Sequence, residues 1–164
     1  MSQATKDVRI KIHSELYEVE ASLFSADDID FDDIPISEES PEPEILDINT
    51  LGTYTDDGER ISISYDESEA TGMEGSTTTV TFLKTDPTIV SMIRQGLVST
   101  TLVFESGKRH HCLYKTPFMP FEICVRTIKV SNSLLGVGAL SIDYVVEIRG
   151  AKAERTKFSM QILD

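Results

Sequence analysis

From Gly52 to Leu163 the chain is a succession of short runs in which apolar and polar residues alternate, separated by turn signals and without a long segment of helical period. Successive side chains of a strand point to opposite faces, so this pattern specifies sheet with one apolar face. Asp57-Gly58 lies between two such runs, Glu105-Ser106-Gly107 separates two more, and Thr116-Pro117 turns the chain again. These spacings suit hairpins, not the long crossovers that parallel strands need. A ladder of hairpins leaves unpaired edges unless the sheet curls onto itself. The expectation is an all-β fold: an antiparallel, up-and-down closed β-barrel of about 8–10 strands.

The individual strands are legible. Val8, Ile10 and Ile12 alternate with Arg9, Lys11 and His13, after which the pattern blurs through Leu16, Tyr17 and Val19. Ile45 to Tyr54 resumes it, Asp56-Asp57-Gly58 turns it, and Ile61, Ile63 and Tyr65 alternate with Ser62 and Ser64 on the return. Thr77–Leu83, Val98–Phe104, Lys108–Lys115, Ile123–Val130, Ala139–Ile148 and Lys157–Leu163 follow, with 98–104 and 108–115 expected to pair as a hairpin. Residues 87–95 carry two signals. Asp86-Pro87 reads as a helix start and Gly96 as its stop, yet Thr88, Ile89, Val90 and Ile93 are β-branched. Strands on both sides favour a strand there.

A chain of 164 residues is of single-domain size, so residues 1–164 are read as one barrel. Its net charge of −13 is concentrated: between Ile12 and Glu59 stand 16 acidic residues and no Lys or Arg, leaving 12 acidic and 15 basic residues elsewhere. Nucleic-acid binding needs clustered cations on the phosphates, and this charge distribution opposes it. Residues 25–44 hold nine carboxylates and three prolines, which read as a long, mobile, solvated acidic loop. No apolar run approaches the roughly 18 residues of a membrane span, and Met1 to Asp7 lacks the apolar stretch of a secretion signal. The expected location is the cytoplasm, with no membrane partner.

Residues that could carry chemistry fall short of a site. Cys112 and Cys124 are equidistant from Phe118, so a turn symmetric about it would set them face to face across a hairpin; the favoured reading is two thiols that serve as buried small hydrophobes. His110 and Cys112 share a strand face while His111 points the other way, so at most three zinc ligands assemble. Asp28, Asp30, Asp32 and Glu39 match positions of a calcium loop, but Asp33 stands where its glycine is needed and Pro35 interrupts it. There is no nucleophile elbow, and Gly136-x-Gly138 precedes a strand instead of a phosphate-binding helix. No catalytic residue, metal or cofactor is assigned.

Gly52-Thr53-Tyr54, Tyr65-Asp66-Glu67 and Thr71-Gly72-Met73-Glu74-Gly75 leading into Thr77-Thr78-Thr79-Val80 form an ordered set. It continues through Arg94-x-Gly96, Leu102-Val103-Phe104-Glu105-x-Gly107, Tyr114-x-Thr116-Pro117 and Gly138-x-Leu140-x-Ile142-x-Tyr144. The set resembles the YwiB family of Gram-positive bacteria along most of the chain. That resemblance implies a calycin-like, lipocalin-type barrel, bacterial and intracellular, without an established activity, and it supports a strand at 88–94. Two departures stand out: Met119-Pro120 replaces the usual glycine after the Thr-Pro turn and an aromatic, and the acidic insertion at 25–43 is longer than usual.

The remaining constellation is the barrel interior, which at this strand number is either filled by side chains or holds one small ligand. Bulky Phe82, Met92, Phe104, Tyr65 and Tyr144 are expected toward the centre. Arg94, Glu67, Glu105, Tyr114 and Thr116 lie near strand ends, where they would line a mouth. The candidate ligand-binding set is thus Tyr65, Glu67, Arg94, Phe104, Glu105, Tyr114, Thr116 and Tyr144. It points to noncatalytic binding of a small, largely apolar ligand at one barrel end. The alternative is an interaction module with a solid core and an acidic loop against a basic partner. An exposed edge or apolar face would also support a homodimer.

Overall fold

The computed structural model describes residues 4–19, 43–67, 75–96, 99–115, 117, 120–148 and 153–163. They form ten antiparallel strands: β1 (Ala4–Val19), β2 (Glu44–Asp56), β3 (Arg60–Asp66), β4 (Thr77–Leu83), β5 (Asp86–Gln95), β6 (Thr100–Glu105), β7 (Arg109–Lys115), β8 (Pro120–Ser133), β9 (Ala139–Ile148) and β10 (Ala153–Leu163). The described residues contain no helix, hence none that is long and apolar enough to cross a membrane. Except for Pro43 and Glu44, the acidic segment 25–44, with the calcium-loop residues Asp28, Asp30, Asp32 and Glu39, lies outside the described residues.

The sheet runs in the order β6-β5-β4-β3-β2-β1-β10-β9-β8-β7. Each strand pairs with its sequence neighbours, and β1 joins the two halves by pairing with both β2 and β10, as an up-and-down barrel requires. The contested segment is strand β5: Val90 and Met92 point inward and are buried, while Ile89, Ser91 and Ile93, which alternate with them, are half-buried. Period-2 burial and β-branched content override the helix start signal once β4 and β6 hydrogen-bond on both sides. The blurred region after His13 also continues as strand, because β2 and β10 pair with β1 through Leu16 and Val19.

The expected hairpin at 98–115 forms its turn but not its ladder. Gly107 takes the positive φ of 77° that favours glycine, and Lys108 N donates to Glu105 O, yet β6 and β7 are the two edges of the sheet. The turn is captured by β8 instead. Gly107 N donates to Thr127 O, Thr127 N to Lys108 O and Glu105 N to Thr127 Oγ1, at a register shift between Thr127 and Lys129. Asn132 Nδ2 further ties β8 to Pro87 O at the start of β5. These bonds bring the two edges together into a nearly closed barrel.

The register also corrects the cysteines. Cys124 lies opposite His111, and Cys112 opposite Ile123, one residue away from the symmetric arrangement. A one-residue slip moves a side chain to the other face. Cys112 therefore packs against the interior core while Cys124 is buried on the outer face, 4.0 Å from His111 Nε2. Both thiols are pushed up in pKa, chiefly by burial.

At Gly52 of β2 the neighbouring strands β1 and β3 leave no room for a side chain. A Cβ built there would stand 2.7 Å from Ser64 O and would collide with the Ile10 side chain. Gly52→Ala is expected to lower stability by about 1–3 kcal/mol, because the clash involves backbone on one side and a fully buried side chain on the other. Urea denaturation with an unchanged slope and a lower midpoint would show it.

Candidate functional site

The inward positions divide the barrel into two unequal halves. In one, Ile61, Ile63, Val80, Phe82, Val90, Phe104 and Leu140 interlock and are fully or nearly fully buried. In the other, the facing side chains leave a cavity of about 470 Å³. Strand lengths account for the difference. Residues 44–51 of β2 pair with β1 but have no β3 partner, since that ladder begins at Gly52. The β1, β2 and β10 ribbon thus rises past β3–β6 and forms one wall, lined by Ser14, Leu16, Leu46, Ile48 and Phe158.

The opposite wall is built by a cross-strand row. Gly52, Tyr65, Thr78, Arg94 and Thr100 are successive register partners on β2, β3, β4, β5 and β6. Side chains in register share a face, so residues nearly fifty positions apart become neighbours. Glu67, just beyond β3, is buried, with its side chain 3% exposed. Thr78 Oγ1 donates to its Oε1 at 2.6 Å, Arg94 NH2 stands 3.6 Å from the same oxygen, and Arg94 Nε donates to Thr78 Oγ1 at 3.3 Å. The buried carboxylate is therefore both paired and hydrogen-bonded, as its burial requires. Thr100 Oγ1, in the same row, is buried, with the Cys112 thiol as its polar neighbour among the described residues.

Two phenols complete the floor. Burial drives Tyr65 well above the ordinary tyrosine pKa, reinforced by Glu67 and opposed by Arg94. Burial does the same to Tyr144, against the bond to its register partner Thr156. Both stay protonated near neutral pH, so they offer hydroxyl groups for hydrogen bonding and no base. At the rim, Glu154 is pushed up by burial, then by Glu18 directly opposite on β1 and by Glu44 on β2. A raised folded-state pKa means that ionisation opposes folding. The penalty is absent below the ordinary carboxylate range and grows as pH rises through it toward the folded value. Glu154→Gln is expected to stabilise the protein near neutral pH by less than about 1 kcal/mol and to lose that advantage below about pH 4, as thermal melts across pH would show.

Tyr65, Glu67, Arg94 and Tyr144 all line this one cavity. Phe104 lies beneath it, fully buried with its ring centroid 4.6 Å from that of Tyr144. Glu105 does not join them. It pairs with Ile89, five residues along β5 from the Arg94–Thr100 pair, and faces His110 at 3.4 Å near the turn. Tyr114 lies opposite Phe121 on β7, and Thr116 is outside the described residues. Glu44, Thr78, Glu154 and Thr156 line or support the cavity without having been read from the sequence. Counting back by twos from Phe158 would have reached Thr156 and Glu154.

On the outer face, Asp47, His13 and Ser159 lie in register across β2, β1 and β10. Asp47 Oδ1 is 2.6 Å from His13 Nδ1, which raises the His13 pKa. Among the described residues no hydrogen bond joins His13 to Ser159.

A family model, the domain of unknown function DUF1934, matches residues 32–160. The chain belongs to the DUF1934 family. The crystal structure of the ywiB protein from Bacillus subtilis is similar to this DUF1934 domain with a TM-score of 0.63 and 17% sequence identity, over 98% of this chain and 96% of that one. The YwiB-like resemblance in the ordered motifs is thereby borne out, and at this identity the likeness speaks for the fold alone. No curated protein matches the DUF1934 chain.

Proposed function

We propose that the domain is a noncatalytic binding protein that takes up one small, largely apolar molecule at the open end of its barrel. The observation that supports this reading is the division of the interior into a packed half and a cavity of about 470 Å³. That volume lies in the range of ligand pockets, and its make-up fits one: mostly apolar walls with a few converging polar groups. The cavity favours binding over a solid-core scaffold, since apolar wall left facing water works against stability.

The polar set supplies orientation. Arg94, Glu67 and Thr78 form a braced cluster on one wall, and the hydroxyls of Tyr65 and Tyr144 add uncharged donors. The reading is tested by native mass spectrometry of the purified chain and by thermal shift with fatty acids, isoprenoids, haem and alkylamines. A copurifying mass, or a saturable rise in Tm that is lost when Leu102→Trp fills the cavity, is the expected result. The absence of any copurified or stabilising molecule, with Leu102→Trp more stable than the parent, would overturn it.

A further inference from the structure

The cavity walls carry an excess of negative charge. Among the described residues, Glu44, Glu67 and Glu154 line it against a single guanidinium, Arg94. Arg94 is already engaged, facing Glu67 at 3.6 Å and donating to Thr78 at 3.3 Å. Glu44 and Glu154, on the β2 and β10 wall, have no other cation among the described lining residues. Glu18 stands opposite Glu154 on β1, the strand between them, and shares its face. Glu44 is exposed at this rim and Glu154 half-buried; carboxylates gathered there repel one another, and a cation placed among them removes that repulsion. Below this rim the wall turns apolar, with Leu46, Ile48, Leu102 and Phe158.

We propose that the occupant is a lipophilic cation, with its apolar body in the cavity and an ammonium-type head at the rim between Glu44 and Glu154. The assignment rests on the binding reading above and names its ligand class. A fatty-acid carboxylate meets the opposite conditions: it must compete with Glu67 for Arg94 and approach two carboxylates that no cation among the described lining residues offsets.

The test is calorimetric titration of the full chain, at physiological ionic strength, with 4-phenylbutylamine, 4-phenylbutanol and 4-phenylbutyrate, which share one body and differ in the head. The amine is expected to bind at least about tenfold tighter than the carboxylate, with the alcohol between them. The pair Glu44→Gln and Glu154→Gln should weaken the amine roughly tenfold and leave the alcohol unchanged. Glu15→Gln with Asp47→Asn removes the same two charges from the outer face and should leave both unchanged, which separates the rim from the overall charge of −13. Equal or tighter binding of the carboxylate, or an equal loss in the outer-face variant, overturns the cation assignment and leaves the pocket reading standing. Binding by none of the three also overturns it, and the broader ligand panel then decides the pocket reading separately.

Discussion

Phe104→Ala is expected to lower stability by about 3–5 kcal/mol, or roughly 10 °C in Tm for a chain of this size. The ring is fully buried opposite Val90 and packs 4.6 Å from Tyr144 at a tilt of 47°. It forms the boundary between the packed half of the barrel and the cavity. Truncation removes both its transfer free energy and the support under Tyr144, and the surrounding ladder holds the strands too firmly to collapse around the gap. Phe104→Leu, which keeps most of the volume, should cost far less. Chemical denaturation of the two variants provides the comparison, and equal losses would show that the ring does not act through the volume it fills.

Arg94→Met is expected to lower stability by about 3 kcal/mol near neutral pH, because it strands the Glu67 carboxylate in a wall where its side chain is only 3% exposed. Thr78 still donates one hydrogen bond, but no cation among the described lining residues replaces the guanidinium. Adding Glu67→Met should restore most of the loss, since a well-packed apolar pair of similar volume often equals a buried ion pair. A double-mutant cycle followed by thermal melts measures both the loss and its rescue. Additive losses would mean that Arg94 and Glu67, despite the 3.6 Å separation, are energetically independent.

These two residues show how far the sequence reaches toward the site. The period-2 alternation places Phe104 and Met92 inside and Ile61, Ile63 and Tyr65 on one face, because side-chain direction in a strand is a local property. It also places Arg94 and Glu67 near strand ends. Their meeting through Thr78 depends on the registers of β3, β4 and β5, which no local pattern specifies. Glu105 makes the same point in reverse: a polar residue at a strand end, like Arg94, but at the end where the turn closes onto Thr127. Cys112 and Cys124 fail to face one another for want of a single residue of register.

The amino-acid sequence by itself determined an all-β meander with an apolar interior, its tight turns and the membership of the inner face, since alternation, β-branching and turn residues act over a few neighbours. Only the tertiary structure decided that the interior is half filled, that the seam falls between β6 and β7, and that Glu44 and Glu154 crown one wall. The reason is that cavity volume and charge clustering depend on how far β1, β2 and β10 outrun their neighbours. That overhang is set by long-range pairing between strands distant in sequence.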